Sequence, residues 1–271
     1  MKIYPLNCGT LCPVAASLSV GSSHMVCRCL LIETSQGLVL VDTGLGSQDI
    51  QNPSSRLGRL FMTLVRPKLD PEETARWQIE RLGFKVEEVR HIVLTHLDLD
   101  HAGGIGDFPK AQVHVLKSEY QEAMTTKRHG YRPIQWASQP QWLCHPSEGE
   151  AWFGFQSVQA LDRLSEILLI PLPGHSRGHC GVAIKTGPTW ILHAGDAFFH
   201  HKEISENQAQ CPIGLRFFQN IVQWNREKRL ENQERLRELK REQRMKIFCS
   251  HDPFDFFDVP ETSTHSIHFT V

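Results

Sequence analysis

The chain has 271 residues with 29 basic and 30 acidic side chains, 40% hydrophobic and 22% charged. A near-zero net charge argues against a protein built to grip a polyanion, and the ordinary hydrophobic content excludes global disorder. No apolar run approaches the roughly 20 residues of a spanning helix, and Asn7, Pro13 and Gly21 break up the mildly apolar N-terminus. The eight cysteines show no CxxC repeat, which predicts reduced thiols in a cytoplasmic protein.

In chain order, residues 28–42 read as two β runs joined at Ser35-Gln36-Gly37, the second ending in the polar turn Asp42-Thr43-Gly44. Residues 72–90 show helical spacing broken at Gly83, with Trp77, Ile79 and Leu82 as buried candidates. A strand over 91–95 and another over 111–116 follow, the latter leading into a helix with Ser118 as expected N-cap. The stretch 128–150 reads as irregular. Strands return at 167–172, 180–185 and 189–193, then a helix over 217–246 and a last strand at 246–250. The pattern predicts a single α/β domain over 1–271, its strands delivering polar residues from their ends.

The segment Thr95-His96-Leu97-Asp98-Leu99-Asp100-His101-Ala102-Gly103-Gly104 places four metal-competent side chains within six residues. Imidazole and carboxylate suit zinc, iron or manganese, and the two glycines are expected to permit a tight turn. Pro173-Gly174-His175, Gly195-Asp196 and Ser250-His251 each close an apolar strand. Together these seven His and Asp side chains suffice for one or two ions.

This run resembles the metallo-β-lactamase superfamily of hydrolases, whose signature is HxHxDH followed by a His, a bridging Asp and a final His. The motifs NCGTLCP, GLVLVDTGLG, LTHLDLDHAGG, PGHSRGH and SHD are most similar to the N-acyl homoserine lactone lactonase branch. The resemblance implies an αββα sandwich and two divalent ions, zinc first, with manganese or iron as alternatives. It implies His96, His175 and Asp98 around the first ion, Asp100, His101 and His251 around the second, and Asp196 between them. Asp42 and His179 would orient ligands from behind. Asp100 would carry the catalytic role, positioning the metal-bound hydroxide and passing a proton to the leaving oxygen.

Two departures stand out. Asp98 occupies the place of the signature's second His; its carboxylate oxygen lies at the same bond count as the near ring nitrogen. A third carboxylate lowers the formal charge of two ions plus one hydroxide from about +1 to about 0, favouring harder ions. On that count Asp98→His is expected to raise zinc occupancy. Second, Phe199 stands where those lactonases carry a tyrosine, so Phe199 and neighbouring His200 are the expected substrate contacts.

The expected activity is opening of a lactone or cleavage of a related ester. Alternatives are a glyoxalase-type thioesterase, an iron-dependent oxidoreductase and a non-catalytic metal-binding protein. The expected partner is a small acyl or lactone substrate, with no nucleic acid or membrane, and a homodimer as a further expectation. For residues 55–69 the resemblance implies a cover over the acyl pocket or a dimer contact, and a plain core helix is the equal alternative. The stretch 226–246, with nine basic and five acidic residues, reads as a solvated helix face. Cys27 and Cys29 read as buried packing without metal partners; His24, His114, His129, His145, His265 and His268 read as structural or exposed.

Overall fold

The structure is a computed structural model; it describes residues 1–255 apart from 15, 17–19, 156–158, 162–163, 207–208 and 244. His265 and His268 lie outside the described residues. Two sheets stack face to face. The first runs in the order β1 (Lys2–Leu11), β2 (Met25–Thr34), β3 (Gly37–Val41), β4 (Val89–Val93), β5 (Gln112–Leu116) and β6 (Gln141–His145). The second contains β7 (Gln159–Leu161), β8 (Leu164–Pro171), β9 (Cys180–Thr186), β10 (Thr189–His193) and β11 (Lys246–Phe248), in spatial order β11-β10-β9-β8-β7.

Alternation along the strands sorts side chains between layers, because successive residues point to opposite faces. Leu30, Ile32, Val39, Val41 and Val93 meet Ile167, Leu169, Val182, Ile184 and Phe248 between the sheets. Their neighbours Leu31, Leu40 and Ile92 turn outward onto Ala75 and Ile79 of α4 (Ala75–Arg81) and Ala123 of α6 (Lys117–Thr125). On the far side, Ile170, Ala183, Leu192 and Ile247 pack under Leu236 and Leu239 of α8 (Arg226–Gln243). This is the expected αββα sandwich. The other named helices are α1 (Ser47–Gln51), α2 (Pro53–Arg56), α3 (Arg59–Leu64), α5 (Leu99–Ala102) and α7 (Ile213–Val222).

Several local expectations are corrected. Ser118 sits inside the first turn of α6, whose N-cap is Leu116 without a side-chain cap. The stretch 128–150 holds an edge strand, β6, paired in parallel with β5. Its sequence QWLCH is largely exposed, so it lacks the burial pattern that marks a strand. Helix α3 is no core helix: Leu60 and Leu64 are exposed, while Phe61 and Met62 lean inward. Helix α8 is solvated on one side only. Arg229, Asn232 and Gln233 are buried, and Asn232 Nδ2 and Gln233 Nε2 donate to the carbonyls of Pro173 and Ala197. Among the described residues, no helix is long and apolar enough to cross a membrane.

Candidate metal centre

Strand ends deliver the donors. The turns after β3, β4, β8, β10 and β11 carry Asp42, His96, His175, Asp196 and His251 respectively. The two sheets are tied together there. Cys180 N donates to Thr95 O and Arg28 N to Ser250 O, both at 2.9 Å.

Gly103 and Gly104 serve close approach rather than turn geometry. A Cβ on Gly103 would lie 2.1 Å from Asp49 Oδ2, and one on Gly46 opposite would lie 2.3 Å from Gly103 O. Backbone must touch backbone here for Thr43 N and Oγ1 to reach the carbonyl of His101, both at 2.8 Å. Only residues without a side chain permit it.

Six of the seven expected ligands are nearly fully buried, and Asp100 is the most open of them. Asp196 is central: its Oδ2 lies 3.8 Å from His96 Nε2, 3.6 Å from His175 Nε2 and 3.2 Å from His251 Nε2. Its Oδ1 lies 3.3 Å from His101 Nε2. Asp98 Oδ2 is 3.0 Å from His175 Nε2 and 3.7 Å from His96 Nε2. Asp100 reaches His251 Nε2 at 3.7 Å and His101 Nε2 at 4.0 Å. Donors about 2.1 Å from a tetrahedral ion stand about 3.4 Å apart, which is the spacing seen.

Hydrogen bonding fixes the rings for ligation. His101 Nδ1 donates to Asp42 Oδ2 at 2.9 Å, His251 Nδ1 to Val26 O at 2.8 Å, and His96 Nδ1 contacts Thr95 Oγ1 at 2.9 Å. Thr95 Oγ1 gives its own proton to Asp42 Oδ2, so it accepts from His96. In the neutral ring, each of the three Nε2 atoms is thereby left with a lone pair facing the centre. His96 Nε2, His101 Nε2 and Asp196 Oδ1 are buried without any hydrogen bond, the last two close together but misaligned for one. Burying unpaired polar atoms is costly, and three converging on one space fit a cation there.

Charge follows the same arrangement. Burial pushes His96 well below its ordinary pKa, whereas for His101 the neighbouring Asp196 and Asp42 outweigh burial and raise it. Burial acts to raise Asp196, yet His251 and His101 hold it well below the carboxylate range.

Asp42 and His179 lie behind the clustered donors. Asp42, at a left-handed φ of 53°, also accepts Thr95 N at 2.8 Å. His179 Nδ1 donates to Leu172 O, leaving Nε2 to accept Asp196 N at 2.8 Å. Phe199 stacks on His251, ring centroids 5.2 Å apart, and touches Phe218 of α7. His200 turns elsewhere: it stacks on His201 and groups with His201 and Asp252 rather than with the seven donors.

Two residues, Glu119 and Arg128, go unrecognised in the sequence, where Cys27 reads only as packing. Glu119 is buried; its Oε1 accepts Leu97 N and Tyr131 OH, and its Oε2 accepts Ser176 Oγ and Gly178 N. It couples the 95–104 segment to the loop bearing His175. Cys27, read as without partners, has its sulfur grouped with Asp100 and His251. Arg128 pairs its guanidinium with Asp98 Oδ1. Neither Glu119 nor Arg128 falls in a recognisable spacing with its partner; only the meeting of separate loops brings them there.

The model of the Metallo-beta-lactamase superfamily matches residues 24–251. The chain belongs to that superfamily. A probable metallo-hydrolase of Mycobacterium tuberculosis (strain ATCC 25618 / H37Rv), Rv2300c, is 42% identical over 260 residues, covering 93% of this chain and 81% of the relative. An N-acyl homoserine lactonase of a Bacillus species is 28% identical over 227 residues, covering 83% and 80%. Among solved structures, an N-acyl homoserine lactone hydrolase with the product N-hexanoyl-L-homoserine bound at its catalytic metal center superimposes with a TM-score of 0.71. It is 22% identical and covers 93% of this chain and 94% of its own, so it shares the fold.

Proposed function

We propose that the protein is a metal-dependent hydrolase that opens a lactone or cleaves a related ester, using two divalent ions, zinc first. The observation that carries this reading is the convergence of His96, Asp98, Asp100, His101, His175, Asp196 and His251 around buried donor atoms that lack protein partners. His96, His175 and Asp98 would hold the first ion, Asp100, His101 and His251 the second, with Asp196 between them. The ions would supply Lewis acidity toward the carbonyl and acidify water. The lactonase named among the relatives, and the product-bound hydrolase of like fold, support the substrate class.

The protein's own groups do the rest. Asp42 and His179 orient His101 and Asp196. Asp100, the most exposed donor, would hold the proton destined for the leaving oxygen on its carboxylate. Phe199 offers no hydroxyl to a carbonyl; stacked on His251, it presents an apolar wall continuous with Phe218, which suits an acyl portion rather than a polar head. Reduced thiols at Cys8, Cys27, Cys29 and Cys180 support a cytoplasmic setting.

The test is metal analysis joined to a panel of lactones, esters, thioesters and β-lactams. Lactone or ester turnover that vanishes on chelation and returns with zinc is expected. Preferred thioester turnover would replace the substrate class, oxygen uptake without hydrolysis would replace the reaction, and tight metal without turnover would leave a binding protein.

A further inference from the structure

The loop Arg128-His129-Gly130-Tyr131 is built against Asp98. Tyr131 forms an isolated antiparallel bridge with Asp98, and a Cβ on Gly130 would stand 2.2 Å from Asp98 Oδ1. The Tyr131 hydroxyl is anchored on Glu119 at 3.0 Å, and the Arg128 guanidinium lies 5.1 Å over the Tyr131 ring. From there Arg128 Nη1 pairs with Asp98 Oδ1, while Nη2 donates to His175 O at 3.2 Å and Val222 O at 3.1 Å. Nη2 also lies 3.3 Å from His175 Nε2. The other Asp98 oxygen, Oδ2, points to His96 and His175. The carboxylate is thus divided: one oxygen to a fixed cation, the other to the candidate first metal site.

We propose that Arg128 is a built-in counter-charge of the first metal site, so that Asp98 and Arg128 together do the work of one neutral imidazole. This rests on the two-ion reading above. The consequence is arithmetic: the guanidinium restores the unit of positive charge that the third carboxylate removes, returning the centre from about 0 to about +1. It also makes Asp98 a one-oxygen donor. When His175 Nε2 is committed to an ion, Arg128 retains Asp98 Oδ1 and the carbonyls of His175 and Val222 as acceptors. The expectation that Asp98→His raises zinc occupancy is thereby reversed. That substitution strands a mostly buried guanidinium, 14% exposed, beside two divalent ions.

The experiment titrates metal-free protein with zinc against a chromophoric chelator and counts bound ions by elemental analysis. Wild type should hold two ions. Asp98→His should weaken one of them at least tenfold, and Asp98→His with Arg128→Met should recover to within threefold of wild type. Arg128→Met alone, which keeps the ligand and removes the positive neighbour, should hold both ions no less tightly than wild type. A merely structural role for Arg128 predicts the opposite for the last variant and no rescue in the double. Full zinc binding by Asp98→His, a double variant no better than the single, or metal loss in Arg128→Met overturns the proposal. If Asp98→His does not fold, Arg128→Met alone decides. Wild type that binds no zinc overturns the underlying two-ion reading instead.

Discussion

Asp196 touches four imidazoles through two oxygens, so no other single side chain should matter as much. Asp196→Ala is expected to remove the bridge, lower bound metal below two equivalents and abolish most turnover; full activity with two ions retained would exclude Asp196 as a bridge. Asp42 acts one step back. Its Oδ2 holds the His101 ring, and Asp42→Ala should weaken metal binding about 10- to 100-fold while leaving every donor atom in place. Competition with a chelator reads this directly. At this scale the sequence was generous. Residues at fixed short spacing, such as 96, 98, 100 and 101, are visible because the chemistry demands several donors on one turn. Arg128 and Glu119 were not, because arginine and glutamate are common surface residues and nothing local marks the ones that face inward. His200 was misplaced for a related reason: adjacency to Phe199 in the chain does not carry it to the same face.

Between elements, the decisive contacts are those that hold one loop against another. Glu119 on α6 accepts from Leu97, Tyr131, Ser176 and Gly178, which lie on three different segments. Glu119→Ala strands several of these buried donors and should cost about 3 kcal/mol in urea unfolding, with Glu119→Gln losing less because one oxygen remains an acceptor. Strands with alternating or continuous apolar runs were legible, as β2, β3, β9 and β10 are. β1 and β6 were not. β6 is an exposed edge, and β1 is interrupted by an irregular register between Asn7 and Thr10, so neither displays the period that burial writes into a sequence. The inward polar face of α8 was hidden by its overall charge: Arg229 and Gln233 bury themselves on partners from α7 and the Asp196 loop.

Across the whole molecule, the first sheet carries a ladder of histidines. His91 Nδ1 lies 2.9 Å from His114 Nε2, and His114 Nδ1 lies 2.9 Å from His145 Nε2. Burial, with His145 and His91 on either side, presses His114 down to about 3; burial and Arg90 lower His91 as well. The sign is then fixed. The unfolded chain takes up a proton near pH 6.5 that the folded chain refuses, so this contribution is intact above pH 6.5 and is lost as pH falls toward 3. Roughly 2 kcal/mol should disappear between pH 6.5 and 5. Urea titrations should show His114→Gln with a flatter acid limb than wild type; identical slopes would mean that the ladder stays folded when protonated. The α/β class was legible from the recurrence of strands and helices, while the layering came only from the family resemblance. What joins the layers was not, since it depends on loops far apart in the chain.

The backbone links from Cys180 to Thr95 and from Arg28 to Ser250 sit directly behind the donors, at the seam where the sheets meet. An ion seated among those donors is therefore a rivet through both halves of the sandwich. Withdrawing it would loosen the seam from one end, and the amides of Arg28, Thr95 and Cys180 are expected to be the first to trade their protons with solvent while the opposite rim stays closed.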